Sequence, residues 1–323
     1  MYRYILNRLL LSIPTLIGAA ALVFILMRLI PGDICMVRLG GSGGSISASA
    51  LAVCHAQVGA DRSMPLQFLD FIGGFATGNF GISMWSGKPV VLEIATRLPV
   101  SLEIAILATV VAVLIAIPLG TISALKQNSW LDHIVRTVAI AGIATPSFWL
   151  GILSILVVLD VSRWLFGSPW MPSIDYVPLW VDPLQNLSIV ILPALTIGYR
   201  YSAVTMRMTR SAMLEVLRED YIRTARAKGL LEQLVVNRHA LKNAMLPVVT
   251  LIGIEFAFLI GGLVVTEQVF NLNGIGRLFV QAVQNQDYTL TQALVMLTVA
   301  VFVVTNLVVD VLYAWLDPRI RFG

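Results

Sequence analysis

Long apolar runs, each closed by charge or a turn signal, set the organisation of this chain. Residues 9–27 carry no ionisable group and lie between Arg8 and Arg28. A hydrocarbon core of roughly 30 Å takes about 20 helical residues to cross, so this run predicts a first membrane span. Further runs predict spans at 104–125, 137–159, 183–199, 243–266 and 288–309. The fourth is the most polar, with Gln185, Asn186 and Pro193, and the fifth is broken only by Glu255. Pro118 and Pro146 fall inside the second and third. Proline in a span frees a carbonyl that neighbouring helices or water must satisfy, which suits a bundle lining a path. The first run is followed by Leu29-Ile30-Pro31-Gly32-Asp33 and no small-x-small cleavage site, so it reads as an uncleaved span.

The polar stretches are uneven. Residues 31–101 form an extended outer segment containing a flexible run at 40–49 (GGSGGSISAS) and a helix-patterned run at 65–75 (PLQFLDFIGGF). This segment either caps the bundle or offers a docking surface to an extracytoplasmic partner. Both cysteines, Cys35 and Cys54, lie in it, and an oxidising compartment permits a disulfide between them. Residues 207–242 are the most charged stretch, with eight Lys/Arg against four Asp/Glu. Good helix formers fill it, Gly229 predicts a turn, and Leu230, Leu231, Leu234 and Val235 then recur at helical spacing. Pattern alone leaves two readings: a basic helix on lipid headgroups, or a helix held against something more specific.

Composition narrows the class. The chain has 323 residues, 58% hydrophobic and 12% charged, with a mean hydropathy of +0.85. Soluble domains average about 25% charged residues, so this is a polytopic membrane protein. The net charge of +4 does not point to nucleic acid, because Arg3, Arg8, Lys126, Arg136, the 207–242 loop, Arg319 and Arg321 all fall on one side of a six-span topology. The positive-inside rule makes that side, with both termini, cytoplasmic. No zinc-type spacing, Gly-x-Ser-x-Gly elbow or phosphate-binding loop occurs; Gly87-Lys88 runs into Pro89. The chain carries no predicted metal site and no catalytic constellation. Within the spans, Glu255 either contacts a passing solute or hydrogen-bonds a neighbouring helix. Phe148 and Trp149 after Pro146 form either a gate or bundle packing. Arg200 reads as snorkelling at the inner interface.

Several runs in this order resemble one family. They are Arg28-Leu29-Ile30-Pro31-Gly32-Asp33, Gly78-Asn79-Phe80-Gly81, Asn128-Ser129-Trp130-Leu131-Asp132, Pro146-Ser147-Phe148-Trp149-Leu150-Gly151 and Thr209-Arg210-Ser211. The residues from Glu219 to Gly229, His239 to Pro247, Glu267, Gly274-Ile275-Gly276-Arg277, Asp287-Tyr288 and Asp317-Pro318-Arg319-Ile320-Arg321 extend the match nearly end to end. The chain resembles permease subunits of the dipeptide, oligopeptide and nickel importers driven by ATP-binding-cassette (ABC) subunits.

The resemblance implies an all-α fold with six transmembrane helices, type I ABC importer permease-like, with cytoplasmic coupling helices. It divides the chain into 1–30 (cytoplasmic N-terminus and first span), 31–101 (extracytoplasmic), 102–316 (permease core, including the coupling segment 207–242) and 317–323 (cytoplasmic tail). It implies that Glu219, Asp220, Arg223, Thr224, Ala225, Arg226, Ala227, Lys228 and Gly229 couple the chain to an ATPase. Ala225 and Ala227 would allow close docking, Gly229 the turn, and the basic side chains polar contacts. In the broad permease pattern a Glu stands where Arg223 does, so no Glu-based contact is carried over. The implied partners are a second homologous permease, two ATP-binding subunits that hold ATP and Mg, an extracytoplasmic solute-binding protein and membrane lipid. The implied place is a bacterial or archaeal inner membrane. The implied solute is a di- or oligopeptide, with a nickel chelate, glutathione or another small solute as alternatives; outside this family, an ion-coupled secondary carrier is a distant alternative for the whole chain. Glu255, Pro146, Phe148 and Trp149 are the candidates for the solute's path.

Overall fold

The structure is a computed structural model, in which residues 2–29, 35, 36, 39, 47–58, 61–173 and 175–316 are described. The expected Pro31-Gly32-Asp33 run, the 40–46 part of the flexible stretch and the 317–323 tail lie outside the described residues. The named elements are helices α1 (Tyr2–Leu29), α2 (Ala48–Val58), α3 (Met64–Thr77), α4 (Val90–Leu125), α5 (Trp130–Ala144), α6 (Ser147–Phe166), α7 (Pro183–Val216) and α8 (Asp220–Ala227). A turn of helix at Glu232–Leu234 and a π-helical stretch at Val235–Ala240 lead into α9 (Leu241–Gly262). Then come α10 (Val264–Val269), α11 (Ile275–Gln284) and α12 (Tyr288–Leu316). Among the described residues, six helices are long and apolar enough to cross a membrane, and the bundle they form is all-α and polytopic.

The bundle is built on α7, the most enclosed of the six. It lies along α4 through a small-residue seam. Ala105, Ala108, Ala112 and Ala116 of α4 are at most 3% exposed. A Cβ on Gly198 would stand 2.6 Å from Val111 Cγ1, and one on Gly120 would stand 2.8 Å from the Met206 carbonyl oxygen. The two backbones approach that closely because nothing larger intervenes. The contacts pair residue 198 with 108–111 and 120 with 206–209, so α4 and α7 run in the same direction. On the other flank, Gly253 of α9 leaves room for Val309 and Thr305 of α12.

Helix limits differ from the expected spans where backbone chemistry intervenes. The expected third span, 137–159, is two helices. Pro146 disfavours helical backbone in the residue before it, and Thr145 is extended at φ −88°, ψ 126°. Helix α5 runs antiparallel to α7, from Asp132 beside Arg210 to Gly142 beside Ala203. Helix α6 starts anew after the break, with Pro146 as its N-cap, and is the part long enough to cross alone. Helices α4 and α7 overrun the apolar runs that predict them, starting at Val90 and ending at Val216. Helix α4 therefore passes straight through residue 101, where the outer segment was expected to end.

The outer segment is tethered to the bundle. Phe68, Phe71, Ile72 and Phe75 of α3 pack against Ala20, Val23 and Met296. The Phe24 and Phe68 rings meet edge-on at 5.2 Å. The Ser83 hydroxyl donates to the buried Asp287 carboxylate at 2.5 Å, and Asp287 in turn accepts the Leu290 amide at the start of α12. Glu267 is fully buried and accepts from the Ser101 hydroxyl at 2.7 Å and the Arg277 amide at 2.8 Å. Burial pushes its carboxyl above the usual range, against those two donors. The Sγ atoms of Cys35 and Cys54 are bonded at 2.05 Å. At the opposite end of the bundle, Arg8 of α1 donates to Asp310 of α12 at 2.5 Å and 3.1 Å. That pair places the start of the first helix beside the end of the last.

Candidate coupling and translocation site

Charge places the candidate site at the bundle end opposite the outer segment. After α7 the chain turns through Leu217 and Arg218, and Glu219 enters α8 with extended backbone at ψ 147°. Helix α8 is only eight residues long, too short to be stable on its own. Tertiary packing holds it. Ile222 is fully buried and Ala225 is 8% exposed, both against Ala124, Met213, Val235, Val236 and Ala244. Those contacts join α8 to the ends of α4 and α7 and to the beginning of α9. The C-terminus is closed by two reversed bonds. The Gly229 amide donates to the Arg226 carbonyl at 2.9 Å, and the Leu230 amide to the Ala225 carbonyl at 3.4 Å. That closure needs a left-handed residue, and Gly229 supplies it at φ +75°.

The predicted coupling residues thus divide by face. Asp220, Arg223, Thr224, Arg226, Ala227 and Lys228 are exposed, as is Glu219 at the cap. Ala225 faces inward, so its small size serves the chain's own packing. Arg226 forms a two-pronged pair with Glu232 at 3.0 Å and 2.7 Å, which bridges the turn and raises the guanidinium above its usual value. The Asn243 amide donates to the Tyr221 hydroxyl at 2.7 Å, tying α8 to α9. Of the apolar face expected after Gly229, only Val235 is buried; Leu230, Leu231 and Leu234 are 40%, 73% and 44% exposed. The π-helical stretch changes the phase there, turning Val235, Val236 and Ala240 inward together.

Sequence reasoning missed the anchor behind this module. Asp132 is fully buried and accepts four hydrogen bonds. The Ser123 hydroxyl donates at 2.5 Å, Arg210 Nε and Nη2 at 2.8 Å each, and the Asn128 amide at 3.0 Å. The Arg210 guanidinium holds the Asp132 carboxyl well below the usual carboxylate range. The network fastens the end of α4 and the start of α5 to α7, two residues ahead of the Ala212–Met213 contact with α8. A readable signal existed: Ser129-x-x-Asp132 has the form of an N-terminal capping box, and Ser129 Oγ does accept the Asp132 amide.

Among the candidates for a path, Glu255 of α9 is half-buried and accepts the Thr205 hydroxyl of α7 at 2.8 Å. Pro146 forms the break before α6, and Phe148 and Trp149 are 46% and 50% exposed on its first turn. Arg200 lies about midway along α7. It follows Gly198, which packs on Val111 near the middle of α4, and its guanidinium lies 5.9 Å from the Tyr201 ring centre.

Two family matches cover most of the sequence. Residues 116–322 match the binding-protein-dependent transport system inner membrane component, and residues 1–105 match its N-terminal companion. The chain is a member of the binding-protein-dependent transport system inner membrane component family. This permease is 42% identical over 322 residues to the glutathione transport system permease protein GsiC of Salmonella choleraesuis (strain SC-B67), with 100% of both chains covered. It is 41% identical over 322 residues to GsiC of Escherichia coli (strain K12), again over 100% of both. A solved amino acid ABC transporter with histidines aligns with a TM-score of 0.43 and 16% identity, over 70% of the permease and 93% of that chain. The permease is accordingly a non-catalytic, multi-pass inner-membrane subunit of an ABC importer, which works with other components of that machine.

Proposed function

We propose that this permease is one of two pore-forming halves of an importer for short peptides, glutathione among them. The second half is a homologous permease. Two ATP-binding subunits, which hold ATP and Mg, lie on the side of α8, and a solute-binding protein delivers cargo to the outer segment. Both termini are cytoplasmic, in line with the basic residues at the α8 end and with the Arg8–Asp310 pair that brings the termini together. The outer segment then lies in an oxidising space, which suits the Cys35–Cys54 bond.

The observation that carries the reading is the construction of α8. Its inner face is locked to α4, α7 and α9, while its outer face presents Asp220, Arg223, Thr224, Ala227 and Lys228. A helix built this way moves only with the bundle, so a push from an ATPase subunit reaches the spans. Peptides are preferred as cargo because the full-length relatives are permeases of a glutathione system, and glutathione is itself a small peptide.

The test is co-purification followed by transport. Tagged permease extracted gently from its native membrane should bring an ATPase pair and a second permease. Arg223→Glu with Lys228→Glu should release the ATPases and leave the second permease bound. Retention of the ATPases with both charges reversed would refute docking at this face. Proteoliposomes of the wild-type complex should accumulate glutathione or dialanine only with ATP and the cognate binding protein.

A further inference from the structure

One cleft is left over by this reading. It opens between α5, α7 and α9, holds about 730 Å³, and is lined by Arg136, Val204, Arg207, Arg210, Ser211 and Leu251 among others. Along the second half of helix α7, Arg200, Val204, Arg207, Ser211 and Glu215 are exposed on one face. That face is cationic at Arg200 and Arg207 and acidic at Glu215, in the last turn before α8.

Lipid does not suit the upper part of that face. Gly198 packs on Val111, near the middle of α4, so Arg200 stands at mid-height in the bundle. An arginine facing hydrocarbon there costs at least about 2.5–3.5 kcal/mol. The face therefore meets water or protein, and the cleft continues it toward the α8 end.

The charges of the cleft are unbalanced. Arg210 is committed to Asp132 through two hydrogen bonds. Arg136 and Arg207 are exposed, with no ion pair or hydrogen bond to any described residue, and no carboxylate lines the cavity. Toward α8, Glu215 is exposed one turn beyond Ser211; at the other end Glu255 lies one turn beyond Leu251, bonded to Thr205 beside Val204. A carboxylate thus stands just past each end of a cationic pocket. A zwitterionic peptide of two or three residues spans about 7–10 Å between its charged ends, against about 5 Å per helical turn. Its amino group can lie toward Glu255 while its carboxylate reaches the arginines.

We infer that this cleft is a carboxylate-receiving site on the solute's route, with Arg136 and Arg207 as the ligands. The inference rests on the importer reading above and goes beyond it by naming the inner-side contact for an anionic group. Guanidinium suits the role because it is always charged and binds a carboxylate through two parallel bonds.

The test uses the whole importer in proteoliposomes, with glutathione as the solute and dialanine as a second probe. Arg136→Gln with Arg207→Gln should slow uptake by about tenfold or more, the scale of a lost charge-assisted bond. Arg136→Lys with Arg207→Lys should recover most of that rate, because charge is kept. Both double variants should co-purify with the other subunits in wild-type amounts. Wild-type uptake in the glutamine variant overturns the inference. So does failure of both variants to assemble, which would make the arginines structural contacts to the second permease. A deficit that appears in vesicles containing phosphatidylglycerol and vanishes in phosphatidylcholine alone assigns the pocket to a lipid phosphate and equally overturns it. If the wild-type complex takes up neither probe, the peptide reading itself fails and the inference falls with it, a result separable from the variant outcomes.

Discussion

At the scale of single residues, the carboxylates of Asp132 and Glu255 do different work. Asp132 has every oxygen lone pair engaged and a guanidinium in register with it. Removing one partner of such a pair leaves the other desolvated, at a cost of about 3–5 kcal/mol. Asp132→Asn should therefore lower the thermal midpoint of the purified complex substantially, while Glu219→Gln at the exposed cap should leave it near wild type. The pH dependence follows from the direction of the shift. A carboxyl held below its ordinary value of 3.8 contributes stability that is full above that value. The contribution is lost as pH falls through the depressed folded-state value. The gap between wild type and Asp132→Asn should be constant from pH 8 to 5 and shrink only below about pH 4; a gap that closes near pH 6 would contradict the assignment. Glu255 has a single hydroxyl donor, Thr205, and a cleft beside it. Glu255→Gln keeps that hydrogen bond and removes the charge, so assembly should persist while uptake of a peptide with a free amino group falls. Unchanged uptake would reduce Glu255 to a helix–helix contact.

At the scale of elements, α8 owes its orientation to the turn at Gly229 that follows it as much as to its buried face. A side chain at Gly229 meets nothing within 4 Å, so crowding is not the obstacle. The obstacle is the left-handed backbone at φ +75°, which costs a non-glycine residue roughly 1–2 kcal/mol. Gly229→Val should leave the global midpoint almost unchanged and weaken ATPase retention in pull-down, and Gly229→Asn should do so less, since Asn tolerates this conformation. Equal retention in all three would detach the turn from coupling. Much at this scale was legible in advance. The apolar runs mark the helices that cross, and Gly229 marks the end of α8, because both signals are local. The third span was misjudged because hydropathy does not register a backbone break; Pro146 was visible, but its effect on Thr145 decides the geometry. The apolar face after Gly229 was misplaced for a related reason. Helical spacing assumes a constant turn, and the π-helical stretch at Val235–Ala240 shifts it. The Asp132–Arg210 network joins positions 78 apart in sequence, a separation no periodicity reaches.

At the scale of the whole molecule, α1 lies outside the central α4–α7 seam and packs on α12 and α3 through Ala20 and Val23. Near each of its ends a basic side chain adds a fastening to that packing. Toward the outer segment, Phe24 packs among the α3 rings, and Arg28 lies over Phe24 while donating to Gln67. Toward the α8 end, Arg8 pairs with Asp310 of α12. The second fastening is the only one of the two made through opposite charges, so its signs can be exchanged. Asp310 side-chain exposure is 13% and that of Arg8 is 49%, so the pair sits at the rim, where solvent screening limits its strength. Arg8→Asp sets two carboxylates against each other, and Asp310→Arg does the same with two cations. Each should lower the thermal midpoint of the complex. The double exchange should recover a measurable part of both losses, as a coupling beyond additivity. Recovery would show that the first and last helices meet at this rim in the assembled importer, which requires both termini to share one side of the membrane. Strictly additive losses would separate the two helices in the assembly and remove the structural support for that shared side.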